Sequence, residues 1–175
     1  MLTFPRLLAI SLLLFSNLLQ ASPAPYGGID LAYNRLNIGD ASFTSPLARI
    51  NGGIWLFKGI GIEAMLGGAL QDDKDSGLTL NIPVIGAAYA RFQSPQDLGM
   101  KAYVLLGYSQ FKMEGSVNHS NFPGKETFSG PAAAVGLLHA LDKAKQFSLY
   151  LELAGYFAHD ELDFGGLALG VRYGY

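Results

Sequence analysis

The residues best suited to chemistry are a histidine and a serine that are adjacent in a polar stretch. His119 and Ser120 occur in the sequence NHSN, and the nearest acid is Glu126. Serine with a histidine base and an acid could perform hydrolysis through an acyl intermediate. Neighbouring residues of an extended chain point to opposite sides, which is a poor arrangement for proton transfer. We therefore expect solvated loop residues here and no catalytic residue.

Metal-binding patterns are incomplete in this chain. The 3 histidines, which include His139 and His159, are scattered without zinc spacing. The acidic stretch at 72–75 suggests a calcium loop, but alignment of Gly77 with the glycine of an EF-hand puts Pro83 where the bidentate acid belongs. We expect a solvated acidic loop, no metal and no other cofactor.

Composition narrows the class of protein. The chain has 175 residues, of which 50% are hydrophobic and only 15% are charged, with a net charge of −2. No basic surface is available for nucleic acid, so we exclude that partner. The chain has 0 cysteines, which excludes disulfides, a thiol nucleophile, a thiolate metal site and a lipid-modified cysteine.

The amino terminus has the layout of a secretory signal. Arg6 precedes an apolar run at 7–19, and Ala21 is a suitable cleavage position. An uncleaved anchor helix is the alternative, but the run is shorter than the ~20 residues of a membrane span. We predict a signal peptide at 1–21 and one domain at 22–175.

A two-residue periodicity, typical of β-strands, recurs through the rest of the chain. In the closing stretch 165–175, Leu167, Leu169, Val171, Tyr173 and Tyr175 alternate with glycine, alanine and Arg172. Strands are predicted at 28–36, 47–57, 60–70, 78–92, 98–111, 128–140, 147–158 and 165–175. The segment 128–140 would also suit a helix, and Pro131 near its start favours a strand.

The connections alternate between short turns and longer polar stretches. Turns are predicted at 58–59, 93–97 and 141–146, and loops at 37–46, 71–77, 112–127 and 159–163. The stretch 112–127 is expected to be irregular and without a packed core. Pro83 predicts a bulge or a break in pairing within its strand. The strand residues Leu80, Ile82, Val84, Ala88 and Ala90 are expected to share one face.

The polar face of each strand distinguishes a membrane barrel from a soluble one. It carries glycine, alanine, serine and isolated charges, which fit a crowded lumen, whereas a water-facing surface would be about a quarter to a third charged. We predict a structural lumen charge network of nearly balanced sign. Its members are Asp30, Arg49, Glu63, Arg91, Lys101, Glu152 and Arg172. Either Glu63 or Glu152 could pair with Arg172, because unpaired charges in the lumen would be costly.

These features resemble the small bacterial outer-membrane β-barrel proteins, the group that includes the OmpA transmembrane domain and OmpX-like and NspA-like proteins. The resemblance implies an all-β, transmembrane, antiparallel up-and-down barrel of about eight strands. It also implies that Tyr173 and Tyr175 belong to a signal read by the barrel-assembly machinery. We expect no peptidoglycan-binding domain after the barrel, so the tethering role of full-length OmpA is not expected to carry over.

The resemblance implies a location in the outer membrane, surrounded by its lipids, with both termini in the periplasm. Tyr26 and Tyr175 are expected to be aromatic residues of the periplasmic interface. A structural, envelope-integrity or adhesive role is expected, with an extracellular ligand met by the loop 112–127. A lipid A-modifying enzyme and a narrow passive pore are the alternatives, although about eight strands leave a lumen filled by side chains.

Overall fold

A computed structural model describes residues 24–38, 41–75, 78–95, 99–117, 120–159 and 162–174, and all of their regular structure is β. The strands are β1 Ala24–Ile38, β2 Ala41–Phe57, β3 Ile60–Ala69, β4 Asp73–Asp75, β5 Leu78–Gln93, β6 Met100–Val117, β7 Ser120–Ala140, β8 Phe147–His159 and β9 Leu162–Gly174. Within these residues, no helix is long and apolar enough to cross a membrane.

The long strands form a closed antiparallel barrel. Strands that follow each other in sequence pair along the sheet except at β4, where β3 pairs directly with β5, and β1 pairs with β9 to close the barrel. The three-residue β4 forms only a short hairpin with the start of β5, so eight long strands make the wall. Closure gives each long strand a paired neighbour on both sides, and strands that cross a lipid bilayer cannot leave a free sheet edge there. The predicted all-β, up-and-down barrel is confirmed.

The predicted alternation along the strands is also confirmed. On β1, Ile29, Leu31 and Tyr33 are 65%, 62% and 66% exposed, whereas the intervening Asp30 and Asn34 are buried. The segment 128–140 lies within a strand, as expected. The turns at 58–59 and 141–146 are confirmed, and Gly59 in the first has a φ of 80°, which glycine adopts without strain.

The expected irregularity at Pro83 is confirmed, but its effect on the strand faces was predicted wrongly. The pairing of β5 with β6 shifts register between Asn81 and Val84. Because this bulge inserts an extra residue, both Ile82 and Ile85 point inward and are fully buried. Leu80 and Ile82 therefore lie in the lumen, opposite to the exposed face of Ala88 and Ala90.

The stretches predicted as long loops are mostly strand. β1 and β2 pair as far as Ile38 and Ala41, so the loop expected at 37–46 is wrong. β6 and β7 continue pairing through most of 112–127, so the irregular stretch expected there is wrong too. β4 lies within the predicted loop 71–77, and β9 begins inside the predicted loop 159–163. Polar residues of the β6–β7 segment such as Lys112, Lys125 and Glu126 are exposed on these strands, and their composition alone resembles that of a loop.

Apolar residues on the other side of these segments build a core. Phe43 and Met113 are buried, and the rings of Phe111 and Phe128 stack with centroids 5.5 Å apart. The apolar lumen residues at the end of the barrel opposite the turns at 58–59 and 141–146 form a group that we call the loop-side layer. Its members are Leu36, Phe43, Leu47, Leu80, Ile82, Ile85, Phe111, Met113, Phe128 and Phe164. The polar residues of the lumen lie toward the turns, at the other end of the same strands.

Candidate functional site

The inward positions of seven strands supply the predicted lumen charges. Asp30, Arg49, Glu63, Arg91, Glu152 and Arg172 are all buried, and Lys101 is half-buried near the turn-side end of β6. The strict alternation of each strand determines these positions, because residues two apart share a face. The structure brings the first six together into two connected clusters.

The first cluster is centred on Arg49. Its Nε donates to Oδ1 of Asp30 at 2.5 Å, and its Nη2 donates to Oε1 of Glu152 at 3.0 Å. Each carboxylate also accepts from a tyrosine: Tyr150 Oη donates to Asp30 at 2.5 Å, and Tyr103 Oη donates to Glu152 at 2.9 Å. Both acids thus have a cation and a hydroxyl donor, which is what buried carboxylates require.

The second cluster is centred on Glu63. Arg91 Nη1 donates to its Oε2 at 2.7 Å, and Arg172 Nη2 donates to the same oxygen at 3.1 Å. Tyr26 Oη donates to it at 3.0 Å. One carboxylate therefore serves two guanidinium groups. The expected alternative pairing of Arg172 with Glu152 does not occur, because Glu152 bonds instead to Arg49 and Tyr103.

Tyrosine rings partly compensate the excess positive charge. The guanidinium carbon of Arg91 lies 3.8 Å from the centroid of the Tyr103 ring. That of Arg172 lies 4.7 Å from the Tyr26 ring and 5.1 Å from the Tyr150 ring. Cation–π contacts of this kind contribute about 2 kcal/mol when they are desolvated.

Tyr26 was expected at the outer interface, and that expectation is wrong. It is only 6% exposed and lies in the lumen beside Glu63. The reason is parity, because Tyr26 is an even number of residues from the inward Asp30. The sequence also predicts that the tyrosines of β8 point into the lumen, because they alternate with outward leucines. It does not predict the hydrogen bonds that the lumen tyrosines donate.

A few buried polar atoms have no hydrogen-bond partner among the described residues. They are both amide atoms of Asn34, Nε of Arg91, and Nε and Nη1 of Arg172. Asn34 lies between the charged clusters and the loop-side layer, where an ordered water could satisfy its amide.

Some of the predicted features lie outside the residues that the structure describes. The predicted signal peptide, His119 and Tyr175 lie outside the described residues, and Ser120 begins β7. Tyr173 is 41% exposed on the outer wall and packs against Phe147 with ring centroids 5.0 Å apart. Among the described residues, no three His, Asp or Glu side chains form a group that could hold a metal ion.

Solved structures of similar shape decide the fold class. The barrel aligns with Ail, the attachment invasion locus protein of Yersinia pestis, at a TM-score of 0.64 and 16% identity, covering 89% of this chain and 100% of Ail. It aligns with the N-terminal β-barrel domain of Pseudomonas aeruginosa OprF at 0.63 and 14%, covering 88% and 100%. Neisserial surface protein A gives 0.62 and 16%, covering 86% and 97%. This chain has the fold of the small outer-membrane β-barrels.

The outer-membrane barrel fold is shared without close sequence similarity. No protein-family description and no curated protein matches the chain. This chain therefore resembles those proteins in its closed eight-stranded wall. The ion pairs of its lumen are a feature of its own sequence.

Proposed function

We propose that this chain is an integral protein of the bacterial outer membrane with a structural, envelope-integrity or adhesive role and no enzymatic activity. The observation that carries the proposal is an apolar outer wall around a lumen packed with paired charges. This arrangement is stable in lipid, where exposed leucines need no cover and buried charges need partners. No described feature favours a lipid A-modifying enzyme or a pore.

The outer wall supports contact with lipid over a limited height. On β8, Phe147, Leu149, Leu151 and Leu153 are exposed in succession. Aromatic residues mark the ends of such apolar belts at the two membrane interfaces, and a belt is about 25 Å tall. We assign Tyr173 with Phe147 to the turn-side interface, and Tyr33 and Tyr108 to the loop-side interface.

Beyond Tyr108, the hairpin of β6 and β7 becomes polar on its outer face. Gln110 and Lys112 are exposed, and Lys125 Nζ lies 2.9 Å from Oε1 of Glu114 in a mostly exposed ion pair. We propose that this hairpin extends into water outside the cell and that the short turns and both termini lie in the periplasm. Long outer connections and short periplasmic turns are typical of this fold.

The same hairpin is our proposed surface for an extracellular ligand. Ail has been crystallised in complex with the heparin analogue sucrose octasulfate, which supports ligand binding outside the membrane for a barrel of this shape. In this chain Lys112 and Lys125 alternate with Glu114 and Glu126 along the hairpin. A partner of mixed charge suits this surface better than a polyanion, because neighbouring acids would repel sulfate groups.

Assembly would use the carboxyl-terminal strand. We propose that Tyr173 and Tyr175 belong to the signal recognised by the barrel-assembly machinery. The exposure of Tyr173 on the outer wall supports this role, since a bound factor can reach it without opening the lumen.

Single-cysteine labelling tests the proposed location and orientation. The natural chain contains 0 cysteines, so each introduced thiol reports its own position. Glu126→Cys places a thiol on the hairpin and Lys143→Cys places one in the 141–146 turn, both at exposed positions. In intact cells, a membrane-impermeant maleimide should label the first and not the second, and both should react after the outer membrane is permeabilised. Labelling of only the Lys143→Cys variant in intact cells would overturn the orientation.

A further inference from the structure

A small polar cavity lies at the turn-side mouth of the lumen. Its volume is about 70 Å³, and Arg172, Lys101, Lys145, Gln93, Gln146 and Ser148 supply its polar lining. Arg172 forms the buried floor, Lys101 a half-buried wall, and Lys145 the exposed rim. The cavity is thus reached from the ends of the turns and is separate from the lipid-facing wall.

The charge around this cavity is one-sided. Three cations line it, and within the described part of the chain no Asp or Glu does. The acid that pairs with Arg172 is Glu63, which also accepts from Arg91. Arg172 thus has only a shared acid, and the half-buried Lys101 adds a further positive charge, so this region favours a bound anion.

The hydrogen-bonding capacity of Arg172 points to the same conclusion. Its side chain is 6% exposed, and its Nε and Nη1 atoms are buried without a hydrogen-bond partner. The rings of Tyr26 and Tyr150 lie against the guanidinium and attract its charge. A ring face is nevertheless a poor substitute for an oxygen acceptor, and the planar fork of arginine matches carboxylate and phosphate.

We propose that this mouth is a binding site for a small oxyanion of the phosphate or carboxylate class. Arg172 anchors the anion from the floor, Lys101 and Lys145 neutralise it, and Gln93, Gln146 and Ser148 offer uncharged donors. The site requires only the folded barrel, and in the orientation proposed above it faces the periplasm. Free phosphate and the phosphate of a lipid headgroup share the chemistry that would be recognised.

Phosphate binding by matched lysine variants tests the proposal. The full chain is refolded in dodecyl maltoside, and inorganic phosphate is titrated by calorimetry at constant ionic strength in chloride. The combined Lys101→Gln and Lys145→Gln variant should bind phosphate roughly tenfold more weakly or worse, since each charge-assisted hydrogen bond lost costs at least that factor. The control is Lys143→Gln, which removes the same charge from the same turn at a position that does not line the cavity.

A second experiment distinguishes free phosphate from a lipid headgroup as the natural ligand. The titration is repeated in phosphatidylcholine vesicles with and without phosphatidylglycerol. An unchanged affinity for phosphate supports a free anion, and a weakened affinity that depends on Lys101 and Lys145 supports a headgroup as the natural ligand. Absence of saturable binding in detergent and in vesicles, or equal binding by wild type and the double-lysine variant, would overturn the proposal. Heat-modifiable migration on gels shows that each variant is folded, which separates this result from a failure of the barrel itself.

Discussion

Glu63 balances two buried cations, and this gives the sharpest prediction for a single residue. Both Arg91 and Arg172 donate to its Oε2, at 2.7 and 3.1 Å. Glu63→Gln preserves the shape of the side chain but removes the only carboxylate of this cluster within the described residues. We expect the free energy of unfolding to fall by about 3–5 kcal/mol, the usual cost of breaking a buried ion pair. Urea unfolding in lipid vesicles measures it.

The matched control for Glu63 is Glu114, a glutamate whose side chain is 37% exposed. Glu114 pairs with Lys125 at 2.9 Å, but the lysine side chain is 80% exposed. Glu114→Gln should change stability by less than about 1 kcal/mol, because solvent screens such pairs. Equal effects of the two substitutions would show that the Glu63 cluster is not a structural ion network.

For the lumen residues, the sequence predicts which side chains point inward. Two-residue alternation gives the inward positions of Asp30 and Glu152, since a strand has only two faces. It does not give partners, because pairing across the lumen depends on the stagger between strands far apart in sequence. Arg49 and Glu152, for example, meet on β2 and β8 across a separation of 103 residues.

At the scale of elements, the packing of β6 against β7 depends on Gly136, which has no side chain. Tyr103 pairs with Gly136, and a Cβ built on that glycine would collide with the Tyr103 ring. Gly136→Ala should displace the ring, which donates to Glu152 at 2.9 Å and stacks on Arg91. We expect a loss of about 1–3 kcal/mol in unfolding free energy, as is usual for overpacking.

Gly155 on β8 provides the comparison for Gly136. A Cβ built there meets nothing within 4 Å, so Gly155→Ala should alter stability by no more than about 0.5 kcal/mol. Equilibrium unfolding of both variants in the same vesicles measures the difference. If the two alanines cost the same, the effect would come from strand propensity and not from the Tyr103 ring.

Strand existence could be predicted from sequence, but strand ends could not. The periodicity of apolar residues located all eight long strands, because large apolar residues line the exposed face of these strands. Toward the loop-side end of β6 the outer face becomes polar, because Gln110 and Lys112 are exposed there while Phe111 and Met113 point inward. There the outer face resembles a loop in composition, and only the paired register reveals a strand.

The whole molecule closes its lumen with two stacked layers of different chemistry. The charged clusters fill the turn-side half, and the loop-side layer fills the other half with side chains such as Leu36 and Ile82, both fully buried. In the location proposed above, each layer suits its surroundings, since charges at lipid depth need partners and apolar residues pack together where the outer face would meet water. This division would let one chain combine the proposed membrane barrel with the proposed water-exposed extension.

Because the charged clusters and the loop-side layer both block the lumen, we predict that the barrel does not conduct ions. In planar bilayers, the purified wild type should give no stepwise current, because ions would have to displace both layers. Phe111→Ala, which opens only the loop-side layer, should remain closed because the charged clusters are intact. Combining Phe111→Ala with Arg49→Ala, which removes the cation shared by Asp30 and Glu152, should allow current if the variant migrates as a folded barrel. Regular stepwise conductance of the wild type would contradict the closed lumen and favour the narrow pore, since only a continuous water path carries such current.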